Sequence, residues 1–184
     1  MDKKQYKYMY YEKAVPPEFC NYVIDYTPWE VAVSGTTQAV DGGEVGNFAL
    51  RKADIVSENI MSPLGCVCQA HLVAGNGWAD WHPVLHGFDE VQVIRYTEGG
   101  HYLWHNDVIQ TDTSSERKVT MVMLLNHPSE FEGGELQIKD VDEPTVLKNK
   151  GDIVVFNAST DHRVLPVTKG IRYVAVCWAK GPKE

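Results

Sequence analysis

The sequence predicts a mainly β protein with two packed sheets, preceded by a segment that contains helices. Three observations support this fold class. From residue 80 onward, short β-rich stretches alternate with turn residues. No helical pattern of about 10–15 residues separates these stretches, which argues against a parallel α/β arrangement. Before residue 80, apolar residues recur at helical spacing, so helices are expected to lie ahead of the sheets.

Two helices and one strand are predicted before residue 80. The first helix begins at Pro16-Pro17, because proline suits the first turn of a helix. Residues 29–33 are predicted to form a strand. The second helix has Ser62 as its N-cap and Pro63 as its first residue. The run Gly75-Asn76-Gly77 is predicted to end this second helix.

Short strands are predicted throughout the rest of the chain. Each is rich in β-branched or aromatic residues and is bounded by turn residues. The segments are Glu90–Tyr96, Gly100–Asn106, Lys118–Asn126, Gly134–Lys139, Asp152–Asn157, His162–Pro166 and Arg172–Ala179. Short strands with turns between them are typical of a sandwich or a barrel built from two sheets.

The composition is that of a globular domain. The chain has 184 residues, 43% of them hydrophobic and 23% charged, which suffices to bury a core. We expect a single domain over 1–184, with a helical and mixed lead-in over 1–80 and the β core over 81–180. No run approaches the ~20 apolar residues of a membrane span, and the charged N-terminus does not resemble a secretory signal. A cytoplasmic location without a membrane partner is therefore expected.

Charge and cysteine spacing argue against two kinds of site. The formal charge is −8, and no basic cluster is longer than Lys3-Lys4, so nucleic acid is not expected as a partner. Cys66 and Cys68 are separated by one residue, which is not the spacing of a zinc knuckle. These thiols, with Cys20 and Cys177, are expected to be reduced.

Two histidines and one aspartate form a candidate metal site. His105 and Asp107 stand two residues apart at the end of a predicted strand, so their side chains can point to the same face. His162 begins another predicted strand. Two imidazoles and one carboxylate occupy one face of a six-coordinate iron(II) ion and leave three positions open. A chelating oxo-acid and dioxygen can fill three such positions.

Arg172 is a candidate for binding the oxo-acid. It lies in an otherwise apolar strand, where an unpaired charge would be costly. A guanidinium binds a carboxylate through two parallel hydrogen bonds, which lysine matches less well. The ligand would supply the missing partner.

Three stretches together resemble one enzyme family. RYTEGGHYLWHND, FEGGEL and HRVLPVTKGIRY are similar to the prolyl-4-hydroxylase-like branch of the iron(II)- and 2-oxoglutarate-dependent dioxygenases. The resemblance covers about residues 50–180, and RKADIV at 51–56 contributes to it. The positions that fall on the family pattern are Tyr96, Gly100, Tyr102, His105, Asp107, His162 and Arg172.

The resemblance implies a double-stranded β-helix (a cupin-like jelly roll), in agreement with the strand pattern. It implies Fe(II) as the metal, 2-oxoglutarate as cosubstrate and O2 as co-reactant, with ascorbate as a further candidate. The implied reaction couples oxidation of 2-oxoglutarate to succinate and carbon dioxide with hydroxylation of a substrate C–H bond. By the same resemblance, Tyr96 would donate a hydroxyl hydrogen bond to the oxo-acid, and Trp178 would wall its pocket. No catalytic residue is expected beyond the metal centre.

The chain also departs from some relatives. Met123, Leu124 and Leu125 stand where some members place a tyrosine that helps to hold the oxo-acid. Collagen-type members carry lysine at the position of Arg172, so this chain is more similar to the bacterial and viral members.

The substrate is left open between several classes. Peptidyl proline follows from the resemblance alone, whereas a free amino acid or another small molecule suits so short a chain. A nucleic-acid demethylase would need a second arginine where Trp178 stands, and the acidic charge also argues against it. A module that binds a metal or a ligand without catalysis is the alternative outside the enzymes. The loop at 36–47 is a candidate lid over the substrate.

The remaining histidines are expected to be structural. His101 shares the ideal-strand parity of His105, but it follows a Gly-Gly turn, so a surface or substrate-side position is favoured. His82 and His86 have helical spacing, yet Pro83 and Gly87 disfavour a helix there. His71 and His127 are interpreted in the same way.

Overall fold

Antiparallel sheets and two helices make up the described part of the chain. The structure is a computed structural model that describes residues 6–35, 50–82, 84–108, 115–142 and 146–183. The helices are α1 (Pro17–Tyr26) and α2 (Pro63–Ala79). The strands are β1 (Tyr8–Tyr11), β2 (Val33–Ser34), β3 (Arg51–Lys52), β4 (Asp54–Glu58), β5 (Gly87–Phe88), β6 (Val91–Tyr96), β7 (His101–His105), β8 (Ser115–Leu124), β9 (Phe131–Gly133), β10 (Leu136–Ile138), β11 (Ile153–Asn157), β12 (His162–Val164), β13 (Val167–Gly170) and β14 (Arg172–Pro182).

A larger and a smaller sheet face each other. Within the described residues, the larger sheet has the strand order β1-β11-β8-β14-β6-β4-β2, with β5 added alongside β14. The smaller sheet has the order β10-β12-β7-β3, and β13 and β9 form a separate ribbon. The two-sheet arrangement predicted from the sequence is confirmed. Among the described residues, no helix has the length and apolar character that a membrane crossing requires.

Apolar side chains cover both faces of the larger sheet. One cluster joins its outer face to α2 and includes Leu72 and Met121. The other lies between the two sheets and includes Val122 and Leu136. Successive side chains of a strand point to opposite faces, so a strand covered on both sides is apolar at almost every position. This explains the nearly continuous apolar run over residues 119–125.

The strands predicted after residue 80 are all present. β8 starts earlier than predicted, at Ser115, and β14 continues to Pro182. Strand β1, which pairs with β11, was not predicted from the sequence. Asp152 holds β1 in place, because its buried carboxylate accepts a hydrogen bond from the Tyr10 hydroxyl at 2.6 Å. The candidate lid at 36–47 lies outside the described residues.

Helix α2 passes through the glycines that were predicted to end it. It continues to Ala79, and Asp80 then adopts a left-handed conformation with φ 54°. Gly75 lies against β11: a Cβ atom built there would lie 2.8 Å from Cγ1 of Val155. The prediction was wrong because this glycine allows close packing of the helix on the sheet, a role that the sequence does not distinguish from a stop signal.

Residues 29–33 do not form the predicted strand. Trp29–Val31 form a 3-10 turn, and pairing with β4 begins at Val33. The Trp29 indole donates a hydrogen bond to the Ile24 carbonyl at 3.1 Å, and its ring lies 4.9 Å from Cζ of Arg95. These contacts hold the turn against α1 and β6 in place of strand pairing.

Candidate metal and cosubstrate site

Strand pairing in the smaller sheet brings the three predicted metal ligands together. His105, at the end of β7, pairs directly with His162, at the start of β12. Asp107 follows two residues later, and its backbone N–H donates to the Ala158 carbonyl at 2.8 Å. One ligand atom from each side chain lies within 4.8 Å of the others. The structure therefore places the predicted triad at one point between the sheets.

Backbone hydrogen bonds fix the orientation of both imidazoles. Nδ1 of His105 lies 2.7 Å from the Leu103 carbonyl, and Nδ1 of His162 lies 2.9 Å from the Thr160 carbonyl. A carbonyl only accepts, so each Nδ1 carries the proton and each Nε2 keeps a free lone pair. Burial, and then the neighbouring His162, lower the pKa of His105 to about 4. The neutral imidazole is the form that binds a metal.

The Asp107 carboxylate lies between the two rings. Its oxygens are 3.6 Å from Nε2 of His105 and 3.5 Å from Nε2 of His162. The Thr120 hydroxyl donates a hydrogen bond to Oδ2 at 2.8 Å. Burial alone would raise the pKa of Asp107, but the neighbouring His162 and His105, and the hydrogen bond from Thr120, hold it below its ordinary value. The carboxylate is therefore ionised, as a metal ligand must be.

An irregularity in β7 decides which neighbour faces the triad. The register shifts between the His162–His105 pair and the Val164–Tyr102 pair. As a result Tyr102 stacks on His105, with ring centroids 3.4 Å apart. Nδ1 of His101 instead lies 2.9 Å from the Gly99 carbonyl. The ideal-strand parity that linked His101 to His105 does not hold, because the bulge changes the alternation.

Arg172 lies in the larger sheet with its guanidinium in the same cavity. It pairs with Tyr96 across β14 and β6, and its Cζ lies 5.7 Å from the Tyr96 ring centroid. Only 2% of the arginine is exposed, and its Nη1 has no hydrogen-bond partner. Burial lowers the pKa of Arg172 to about 10, which keeps the group charged at neutral pH. A Cβ atom at Gly134 would lie 2.9 Å from Cδ of Arg172, so this glycine makes room for the arginine.

The triad and Arg172 line one cavity of about 330 Å³. Trp178 forms part of its wall, as predicted, and the indole Nε1 is buried without a hydrogen-bond partner. Tyr96 also lines the cavity and is 2% exposed. Apolar side chains complete the lining: Ile94, Val122, Leu136, Val164, Val174 and Val176.

The residues present fit both an iron ion and an oxo-acid. Two neutral imidazoles and a carboxylate are the mixed nitrogen and oxygen ligands that non-haem iron(II) takes. The buried Arg172 needs an anion, because an uncompensated charge in this environment is costly. A dicarboxylate that reaches from the triad to Arg172 would satisfy both groups.

Comparison with known proteins finds one similar family. Residues 91–180 match the family model of the 2OG-Fe(II) oxygenase superfamily. The segment that contains the triad and Arg172 is thus similar to this superfamily. A PKHD-type hydroxylase of Pseudomonas putida (strain W619) is 36% identical over 91 residues, which are 46% of this chain and 40% of the relative. For a PKHD-type hydroxylase of Gloeothece citriformis the identity is 39% over 88 residues, 47% of this chain and 40% of the relative. The chain thus spans about two fifths of the length of these curated relatives.

Solved structures show the same fold over almost the whole chain. The viral collagen prolyl hydroxylase of Paramecium Bursaria Chlorella virus-1, solved as its 2OG complex, has a TM-score of 0.71 at 18% identity and covers 98% of this chain and 99% of its own. A prolyl-4-hydroxylase of Pseudomonas putida has a TM-score of 0.68 at 19% identity and covers 97% and 94%. The predicted double-stranded β-helix is confirmed.

Several residues of the oxygenase cavity were not identified from the sequence. Thr120 orients Asp107 through a hydrogen bond. The sequence marks Thr120 only as a single polar residue inside the apolar run of β8. Arg51, Gln92 and Arg117 also line the cavity. Arg51 begins the RKADIV segment at 51–56, but the resemblance assigned it no role, and no local motif marks Gln92 or Arg117. The folding of β3, β6 and β8 around the cavity brings all three there.

The other histidines have structural partners, as expected. Nδ1 of His71 lies 2.8 Å from the Val67 carbonyl, and Nε2 of His86 lies 2.9 Å from the Ser115 hydroxyl. His127 caps the 3-10 turn Pro128–Glu130. Within the described ranges, the triad is the only group of histidine, cysteine and acidic side chains placed to hold a metal.

Proposed function

We propose that the chain is an Fe(II)- and 2-oxoglutarate-dependent hydroxylase. His105, Asp107 and His162 hold the iron, and Arg172 holds the far carboxylate of 2-oxoglutarate. The observation that carries this proposal is the buried guanidinium of Arg172, which lacks a partner and faces the same cavity as the triad. The match of residues 91–180 to the 2OG-Fe(II) oxygenase superfamily supports it independently.

The bound iron supplies the oxygen chemistry that couples decarboxylation of the oxo-acid to C–H hydroxylation. The residues of the chain position the reactants. The carbonyls of Leu103 and Thr160 keep each Nε2 free for the metal, and Thr120 fixes the Asp107 carboxylate. The surrounding apolar walls exclude water, which strengthens the attraction between Arg172 and a carboxylate.

Tyr96 and Trp178 have supporting roles in this proposal. Tyr96 pairs with Arg172 in the sheet, and in this proposal its hydroxyl donates a hydrogen bond to the oxo-acid. Trp178 pairs with Thr120 across β14 and β8, so its indole closes the cavity behind Asp107.

Two classes of substrate are candidates for this hydroxylase. The solved neighbours are named prolyl hydroxylases, which supports peptidyl proline as one candidate. A free amino acid or another small molecule is the second candidate. Ascorbate as a reductant, a cytoplasmic location and a single domain over 1–184 stay predictions. A binding module without catalysis is the alternative to an enzyme.

Anaerobic titration tests the proposed metal and cosubstrate. Iron(II) and then 2-oxoglutarate are added to the apoprotein, and the visible charge-transfer band of their chelate is followed. We expect the band with the wild-type protein and with Glu132→Ala, whose exposed carboxylate pairs with Lys169 away from the triad. We expect no band with Asp107→Ala.

A second measurement separates the enzyme from a binding module. Aerobic succinate formation from 2-oxoglutarate requires turnover, which a binding module cannot perform. A wild-type protein that shows the band but forms no succinate with any substrate would be a binding module. A wild-type protein that shows no band, and no oxo-acid binding by calorimetry, would refute the proposed function.

A further inference from the structure

Three polar atoms in the cavity lack a partner after Arg172 has been assigned to 2-oxoglutarate. They are Nε of Arg51, Oε1 of Gln92 and Nε1 of Trp178, and each is buried without a hydrogen bond. All three residues line the cavity that contains the triad. A buried polar atom without a partner destabilises the protein, because it has lost its hydrogen bonds to water. Unpartnered atoms that share a cavity therefore indicate which hydrogen-bonding groups a ligand of that cavity carries.

Arg51 is the charged member of this set. It is 8% exposed, and it makes no hydrogen bond or ion pair with any residue in the described part of the chain. Its Cζ lies 4.7 Å from the ring centroid of Tyr102, the tyrosine that stacks on His105. The guanidinium is thus held beside the metal ligands with an aromatic face as its contact. That contact leaves its N–H groups available to a ligand.

The charges of the proposed complex leave Arg51 uncompensated. The divalent iron and Arg172 are balanced by Asp107 and the dianionic oxo-acid. Arg117, the third guanidinium in the cavity, is paired with Asp89 at 2.6 Å and lies 3.6 Å from the Trp178 ring centroid. Arg51 therefore needs an anion from outside the described residues. Because the oxo-acid is already engaged, a carboxylate of the substrate is one group that can supply this charge.

Gln92 requires a hydrogen-bond donor from the ligand, whereas Arg51 requires an anion. Gln92 pairs with Val176 in the larger sheet, and the Oε1 atom of its side chain can only accept a hydrogen bond. The ligand must therefore bring an N–H or O–H donor. An internal prolyl residue has no N–H group and no carboxylate of its own, so it offers neither a donor to Gln92 nor a counter-charge to Arg51, and neighbouring residues of a peptide would have to supply them.

We propose that the substrate is a small carboxylate with a hydrogen-bond donor, that is, an amino acid whose carboxylate binds Arg51 and whose donor binds Gln92. This inference rests on the proposed function and names its substrate class. The cavity volume of about 330 Å³ supports a free amino acid, because small-molecule pockets range over about 300–1,000 Å³ and this one also holds 2-oxoglutarate. The C-terminal residue of a peptide presents the same chemistry.

Calorimetric binding to the anaerobic protein loaded with iron(II) and 2-oxoglutarate tests the proposal. The probes are the proteinogenic L-amino acids, each alone, and a proline-rich peptide capped at both ends. For each amino acid that binds, the C-terminal amide and a tripeptide ending in that residue, free or amidated, are added. We expect amidation of the free amino acid to weaken binding by about tenfold to a hundredfold, the usual effect of losing a charge-assisted hydrogen bond.

Matched variants assign the effect to Arg51. Arg51→Gln removes the charge at similar size and is expected to weaken amino-acid binding by the same factor, while Arg51→Lys restores part of it. Arg95→Gln is the control, because Arg95 lies in β6 beside the cavity residues but pairs with Asp54 at 2.8 Å instead of lining the cavity. Gln92→Leu is expected to weaken binding of the same probes without affecting 2-oxoglutarate.

The outcomes separate this inference from the proposed function. Tighter binding of the tripeptide with a free C-terminus than of the free amino acid would support the carboxylate site and locate it at a peptide end. Binding of the capped proline-rich peptide alone, unchanged in Arg51→Gln, would overturn the inference while the charge-transfer band persists. Loss of the band in the wild-type protein would refute the proposed function, and apoprotein titration with the amino acids would still report on Arg51.

Discussion

A guanidinium enclosed in a β core needs a counter-charge, and Arg172 has none among the described side chains. The Arg172→Met variant keeps the volume but cannot bind a carboxylate. We expect its affinity for 2-oxoglutarate to fall by about tenfold to a hundredfold, equivalent to about 1.5–3 kcal/mol. Titration of the charge-transfer band with 2-oxoglutarate measures this change, and wild-type saturation in the variant would remove Arg172 from the site.

The Arg172→Met substitution is expected to raise the stability of the ligand-free protein, although it weakens 2-oxoglutarate binding. Burial lowers the pKa of Arg172, which shows that the charged form is disfavoured in the empty cavity. Replacing a buried charge without a partner by an apolar group of similar size is often stabilising. We expect Arg172→Met to unfold at a higher temperature than the wild type without 2-oxoglutarate, as measured by scanning calorimetry. A lower unfolding temperature would show that the arginine has a structural partner.

Substitution of Thr120 tests how much the orientation of the Asp107 carboxylate contributes to metal affinity. Thr120→Val keeps the shape of the side chain but removes the hydrogen bond to Oδ2 of Asp107. Loss of such a supporting contact typically costs about 10–100-fold in metal affinity. Competition with a chelator measures the affinity. Thr168→Val, in the exposed part of β13, is the control and is expected to bind iron normally.

At the scale of elements, two glycines in α2 make a matched pair. A Cβ atom at Gly75 would lie 2.8 Å from Val155, whereas nothing lies within 4 Å of a Cβ atom at Gly77. Gly75→Ala is expected to lower the free energy of unfolding by about 1–3 kcal/mol through overpacking. Gly77→Ala is expected to raise it by about 0.5–1 kcal/mol, because alanine favours the helix.

Urea unfolding of both variants compares these effects directly. Equal stabilisation by the two substitutions would show that α2 can move away from β11 without cost. The element that encloses the outer face of the sheet would then be adjustable rather than closely packed.

The sequence specifies some helices and strands of this fold but not the bounds of others. Alternating apolar residues and turns indicated the strands after residue 80, because each is short and bounded by strong turn signals. The end of α2 was misplaced, since glycine serves both to end helices and to bring them close to a sheet. The turn at Trp29 depends on a local contact with Ile24 and on a contact with Arg95, which is far from it in the sequence and reaches it only when the chain folds.

At the scale of the whole molecule, the fold is expected to be independent of the metal. Neither of the two apolar clusters contains a triad residue, and both are continuous across the larger sheet. We expect chelation of iron, or His105→Ala, to leave a cooperative thermal transition. The unfolding temperature should fall only by the amount of lost ligand binding. Circular dichroism with and without chelator measures this, and a non-cooperative apoprotein would contradict it.

The sequence by itself determined the fold class and predicted the metal ligands and the candidate anion site. It could do so because His105, His162 and Arg172 lie on strands, and Asp107 directly after one, whose spacing and composition are local properties. The tertiary structure decided which side chains face these groups. Thr120, Arg51 and Gln92 reach the cavity through strand pairing between segments far apart in the chain, and the bulge in β7 turned Tyr102, not His101, towards His105. Register and bulges depend on the packing of whole sheets, so no local pattern reveals them.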